Sequence, residues 1–168
     1  MTAGESLAET YTRWPPEATA SDRAWAIEDA LECGHMHRLT IKTNRKREIL
    51  DITDRVETLL SDHYGGQLGV CHLVVLHTTA ALATADLDPG TDTDMLDAFE
   101  RIIPKLKYRH PHDPEHVPDH ILSAIIGTSV GLLAEKGSLV LGTWQRVILI
   151  ELDGPRQREI AVGFFVGV

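Results

Sequence analysis

Four ionic side chains follow one apolar run near the end of this chain, and they are where its chemistry is sought. Val147-Ile148-Leu149-Ile150 leads straight into Glu151, Asp153, Arg156 and Arg158 around an Asp-Gly-Pro turn. The run reads as a buried strand, because four β-propensive residues stand together without a polar interruption. Two acids and two arginines at its exit are costly for a core. They suit a polar site in which carboxylates hold a cation and guanidinium groups grip phosphate or carboxylate as a fork. The same residues also fit an ion-pair ladder on a surface hairpin, since structural pairs mimic sites.

The second candidate set is imidazole. The chain has nine histidines, and His110, His112, His116 and His120 fall within eleven positions. Histidine with carboxylate favours zinc or a related divalent ion. A solvated histidine-rich loop is the alternative. His116 and His120 have helical i, i+4 spacing, but Pro118 between them is expected to open a helix and leave His116 in the loop. His77 closes an apolar run and is followed by Thr78-Thr79-Ala80-Ala81, a segment that lets hydroxyl and backbone donors approach a ligand closely.

The elements that must place these groups show in the patterning. Leu39 and Ile41 alternate as in a strand, and residues 44–47 turn into a second strand at Ile49–Ile52. Thr53 is expected to cap a helix with Val56, Leu59, Leu60 and His63 on one face, stopped by Gly65-Gly66. Leu68–Leu76 reads as a buried strand. A second helix is expected from a Thr93 cap with Met95, Leu96, Phe99, Ile102 and Ile103 inward, and a third from Pro118 to Ile125. Strands are expected at Ser138–Leu141, Arg146–Leu152 and Glu159–Val168, with the last two joined by the turn at 153–155. This order implies an antiparallel α+β domain over residues 37–168. Residues 1–36 read as an extension, partly helical (Asp22 to about Cys33) or disordered.

At 168 residues and 43% hydrophobic, the chain is long enough for one domain with its own core. The apolar runs are strand-sized, so no membrane partner is expected. A net charge of −9 argues against nucleic acid, whose backbone needs a basic surface. The acidic N-terminus lacks a secretion signal, and Cys33 and Cys71 form no CxxC pair, so a cytoplasmic location is expected.

His77-Thr-Thr-Ala-Ala-Leu82, Tyr108-x-His110, Asp119-His120 with Gly127 beyond, and Leu141-Gly-Thr-Trp-Gln145 followed by Glu151-x-Asp-Gly-Pro-Arg-x-Arg158 occur in order. Together they resemble the YjbQ family, described as secondary thiamine-phosphate synthases, from about residue 38 to the C-terminus. The resemblance implies a two-layer, mostly antiparallel β-sandwich with helices, assembled as a homotrimer. It implies a divalent ion, zinc or magnesium, on His77, His110 and His120, and a small phosphorylated or anionic molecule as ligand. The implied activity couples a pyrimidine-methyl diphosphate to a thiazole phosphate and releases diphosphate, as a weak side activity. His77, Glu151 and Arg156 are its candidate catalytic residues. Thr78, Thr79, Gln145, Asp153 and Arg158 are candidates for substrate binding, with Trp144 as the wall for the pyrimidine. A metal-dependent hydrolase and a non-catalytic metal- or anion-binding trimer are the competing readings. The chain departs from the family pattern at Ala85-Asp86, where Asn-Glu is usual, and at His116 and Asp119, where Asn and Ala are usual.

Overall fold

In the computed structural model, residues 36–110 and 113–166 are described. The expected helix from Asp22 to Cys33, and His112, lie outside them. The elements in order are β1 (His37–Lys42), β2 (Glu48–Asp51), α1 (Thr53–Tyr64), β3 (Leu68–Val75), β4 (Ala80–Ala85), α2 (Thr91–Ile102), a 3₁₀ turn (Pro114–His116), α3 (Val117–Ile126), β5 (Ser129–Glu135), β6 (Ser138–Leu139), β7 (Arg146–Glu151) and β8 (Gln157–Val166).

The strands form two antiparallel sheets, one ordered β1-β8-β3-β5-β6 and the other β2-β7-β4. The α+β class and antiparallel pairing thus follow the sequence reading. Two apolar clusters explain the layering. Val147 and Leu149 of β7, with Ala80 and Leu82 of β4, face Leu73, Val75, Ile160 and Val162 of the larger sheet, with Val56 and Leu60 of α1 beside them. Ile148 and Ile150 point the other way and meet Ala81 of β4 and Leu122 of α3, with Met95, Leu96 and Phe99 of α2 packed against them. A strand apolar on both faces is what the central place of β7 requires.

Several expectations change. β7 and β8 are not a hairpin: β7 already has β2 and β4 on its two edges, so the chain crosses at residues 152–156 into the other sheet. β4 and β5 carry no strand in the sequence reading. Thr53 does not cap α1. Its hydroxyl accepts from the Val147 amide (2.8 Å), while Asp51 Oδ1 accepts from the Thr53 amide (2.9 Å), which ties the helix start to β7. α2 starts at Thr91, and Ile102 faces outward, 61% exposed, while Ile103 is buried. α3 begins as expected, with Pro118 in its first turn and His116 just before it. It ends at Gly127, whose φ of 111° breaks the helix while its amide still donates to Ser123 O (2.9 Å). Cys71 is buried against the core, which pushes its thiol up to about 12 and leaves it unreactive. No helix among the described residues is long and apolar enough to cross a membrane.

Candidate functional site

The crossing from β7 to β8 builds one wall of a cavity of about 680 Å³ among the described residues. Asp153 and Arg156 come from that crossing, Gln157 and Arg158 from the start of β8, Leu76 to Thr79 from the exit of β3, and His116 and His120 from the start of α3. Three segments remote in sequence therefore meet at one end of the two sheets. Of the sequence candidates, His77, Thr78, Thr79, His120, Asp153, Arg156 and Arg158 line it. His110 stands behind, its ring stacked on His120 at 5.8 Å between centroids.

Beneath the cavity lies a buried ion pair. Glu151 has the strand parity of Val147 and Leu149, so its side chain points between the sheets; Arg158 shares parity with Ile160 and points back at it. The Arg158 Nε donates to Glu151 Oε2 (2.7 Å) and Nη2 to Oε1 (2.5 Å), with both residues essentially buried. Arg158 Nη2 also donates to Thr79 Oγ1 (3.0 Å) and the Thr79 carbonyl (3.2 Å). Glu151 accepts further from the Thr43 hydroxyl (3.0 Å) and the Asp153 amide (2.8 Å). Bidentate pairing, with further hydrogen bonds to both partners, is how a charge pair is held out of water. Glu151, expected as a catalytic residue, is a carboxylate with no exposure whose two oxygens are both engaged by Arg158. Arg158 keeps one edge on the cavity but is not a free phosphate fork.

Arg156 is different. Its side chain is about half exposed, its Nε donates to the Asp153 carbonyl (2.6 Å), and its Nη2 donates to Asp153 Oδ2 (2.5 Å). Thr43, absent from the sequence candidates, anchors its backbone: the Arg156 amide donates to Thr43 Oγ1 (2.7 Å), and the Thr43 amide donates to the Arg156 carbonyl (2.8 Å). With more than a hundred residues between them, no local pattern signals this contact. His116 completes the group, with Nδ1 3.2 Å from Asp153 Oδ2 and Nε2 2.9 Å from Asp113 Oδ2.

The histidines differ in which nitrogen is open. His77 Nε2 accepts from the Glu159 amide (2.9 Å), so the neutral ring carries its proton on Nδ1. Burial, then the nearby Arg158 charge, hold His77 below its ordinary value against the opposing pull of Glu159 and Glu151. His120 is the reverse case. Its Nδ1 lies 3.0 Å from the Thr78 carbonyl, which can only accept, so Nδ1 carries the proton and Nε2 keeps the lone pair. His110 Nδ1 accepts from the Asp113 amide (3.2 Å).

These assignments do not fit the expected divalent ion on His77, His110 and His120. A ring whose Nε2 lone pair takes a backbone proton has no second lone pair for a metal, and that holds for His77. Among the described residues no three His, Cys, Asp or Glu side chains are grouped to hold a metal. Asp119 lies away from the cavity as well, buried and paired with Arg47 Nη2 (2.6 Å).

Trp144 and Gln145, expected to bind substrate, do not line this cavity. They precede β7, while the cavity lies beyond its far end, roughly 20 Å away at ~3.3 Å per residue. Trp144 is 69% exposed and borders a separate cleft of about 240 Å³ with Asp51, Asp86, Asp88 and Arg146. Gln145 closes its own turn, its Oε1 accepting from the Gly142 amide (2.7 Å).

A depressed His77 has a consequence for stability. The unfolded chain protonates this ring near pH 6.5 while the folded chain resists, so the unfolded state binds more protons below that point. The His77 contribution is therefore whole above about pH 6.5, declines as pH falls through that value, and levels off below the depressed folded value. Thermal melts between pH 8 and 5 are expected to show a smaller acid-side loss for His77→Asn than for wild type. Parallel curves would remove His77 as the cause.

Residues 37–166 match the family model described as UPF0047 protein YjbQ-like. A UPF0047 protein of Archaeoglobus fulgidus is 38% identical over 125 residues, 74% of this chain and 96% of the relative. The UPF0047 protein YugU of Bacillus subtilis is 36% identical over 121 residues, 71% and 91% of the two chains. Among solved structures, a YbjQ-like protein of unknown function from Sulfolobus solfataricus P2 superposes with a TM-score of 0.73 at 31% identity, covering 80% of this chain and 98% of the other. A conserved hypothetical protein from Thermus thermophilus gives 0.69 at 36% identity, over 77% and 99%. The chain belongs to the UPF0047 YjbQ-like family.

Proposed function

We propose that the cavity binds a small phosphorylated molecule and that the chain acts on it by group transfer with diphosphate as leaving group. The coupling of a pyrimidine-methyl diphosphate to a thiazole phosphate is a reaction of this class, and we assign it as a weak activity rather than the main one. The observation that carries the reading is the half-exposed Arg156 guanidinium at the cavity wall, beside the hydroxyl-bearing Thr78 and Thr79 and the imidazoles of His116 and His120. A guanidinium offers phosphate oxygens two parallel N–H donors, and departing diphosphate needs its charge taken up. His120 Nε2 supplies an open basic nitrogen for proton transfer.

Hydrolysis of a phosphate ester is the second reading, because the same Nε2 suits activation of water. Release of free phosphate from a panel of esters, without any coupled product, would favour it.

The binding step is tested by thermal-shift titration with diphosphate. Wild type is expected to gain stability, and Arg156→Ala and Arg156→Lys are both expected to lose at least about tenfold in affinity. A point charge on lysine cannot reproduce the fork. Equal stabilisation of all three proteins would overturn the phosphate role of Arg156.

A further inference from the structure

We propose that the Asp153 carboxylate is an internal occupant of the anion subsite, and that it selects phosphate and diphosphate over singly charged anions because only the former can exchange for it. The proposal rests on the reading of the cavity as a phosphate site. Asp153 lines the cavity with its side chain 9% exposed. One of its oxygens, Oδ2, faces both Arg156 Nη2 at 2.5 Å and His116 Nδ1 at 3.2 Å. Those are the donors that an incoming phosphate oxygen would use.

The backbone of Asp153 is held in place. Its own amide donates to Glu151 Oε1 (2.8 Å), and the next amide, of Gly154, donates to the Lys46 carbonyl (2.8 Å). The Arg156 backbone is equally fixed, through Thr43 on both its amide and its carbonyl. What can move is the Arg156 guanidinium, half exposed at the end of a flexible stem.

Charge makes the exchange selective. Arg158 is balanced by Glu151 and Arg156 by Asp153, so the cavity wall offers no surplus cation. A monocarboxylate or halide brings Arg156 nothing beyond what Asp153 already provides. A phosphate dianion brings more charge and three acceptor oxygens, enough to engage the guanidinium fork together with His116 and the Thr78 and Thr79 hydroxyls. Asp153 thereby lowers affinity for all anions and raises discrimination among them, by competing with the ligand.

Asp153→Asn keeps the shape and an acceptor oxygen while removing the negative charge that competes for the Arg156 guanidinium. Calorimetric titrations of wild type and Asp153→Asn with inorganic phosphate, diphosphate and acetate separate the outcomes. The variant is expected to bind both phosphates about tenfold tighter and to gain measurable acetate binding. Binding by the variant alone would support the proposal equally. Phosphate binding that is intact in wild type and unchanged or weaker in the variant overturns the competition and leaves the phosphate site standing. Absence of anion binding in both proteins removes both readings together. A measurement on wild type alone covers a variant that fails to fold: saturating phosphate is expected to shift the ¹³Cγ resonance of Asp153 and the side-chain ¹⁵N resonances of Arg156. An Asp153 resonance that does not move overturns the exchange.

Discussion

Replacement of Arg158 by alanine is expected to cost about 3–5 kcal/mol of folding stability, because it leaves the Glu151 carboxylate buried without its countercharge. Glu151 has no exposure and would keep only the Thr43 hydroxyl and the Asp153 amide as donors. The Thr79 hydroxyl would lose its Arg158 donor on the same occasion, leaving the Leu152 amide on the Thr79 carbonyl (3.2 Å) to hold that cavity wall. Glu151→Leu should be of similar severity, since it strands the guanidinium instead. The double replacement Glu151→Leu with Arg158→Met should recover much of the loss, as apolar side chains of similar volume often match a buried pair. Equilibrium urea unfolding of the four proteins closes the double-mutant cycle. A loss below about 1 kcal/mol for Arg158→Ala, the range of an exposed pair, would mean that water reaches this pair.

That pair shows where the sequence was legible and where it was not. The apolar run at Val147–Ile150 marked a strand buried on both faces, and the ionic residues after it marked an unusual place. An acid after an apolar run usually signals exit to solvent, hence the expectation of an edge or hairpin. The decisive fact is that β7 has no free edge, which only the pairing of β2 and β4 on its two sides establishes. Once the chain must change sheets, Glu151 and Arg158 face each other across the core.

β4 and β5 were hidden for different reasons. Ala80–Ala85 has little β-propensity, and its small side chains matter because they let α3 sit close, with Ser123 Oγ donating to the Ala80 carbonyl (2.7 Å). In β5, Val130, Leu132 and Ala134 alternate properly toward the larger sheet's core, but Leu133 between them is exposed and Gly131 breaks the pattern. The site divides along the same line. His77, His120 and Arg156 were found by residue type, whereas the tautomers that separate their roles depend on the Glu159 amide and the Thr78 carbonyl, which no spacing reveals. Trp144 and Gln145 belong to the same sequence block as Arg156, yet a strand's length sets them apart.

Within the proposed transfer, the tautomers also bear on which histidine would move a proton. A general acid or base needs a nitrogen that is open to the ligand and held in one orientation. His77 fails the first condition, for its Nε2 is occupied by the Glu159 amide and its environment disfavours the charged ring. His120 meets both, with Nδ1 held by the Thr78 carbonyl, the His110 ring stacked against one face, and Nε2 unclaimed by either contact. His120→Gln is therefore expected to lower kcat for the proposed transfer by about 100- to 10,000-fold while leaving diphosphate binding within a few-fold of wild type. His77→Asn, whose amide oxygen can still accept from Glu159, is expected to change kcat far less. Diphosphate release measured for wild type and both variants at saturating substrate distinguishes the two rings. Should His77→Asn abolish turnover while His120→Gln stays near wild type, the backbone contact to His77 would have to open during the reaction, and the two assignments would exchange.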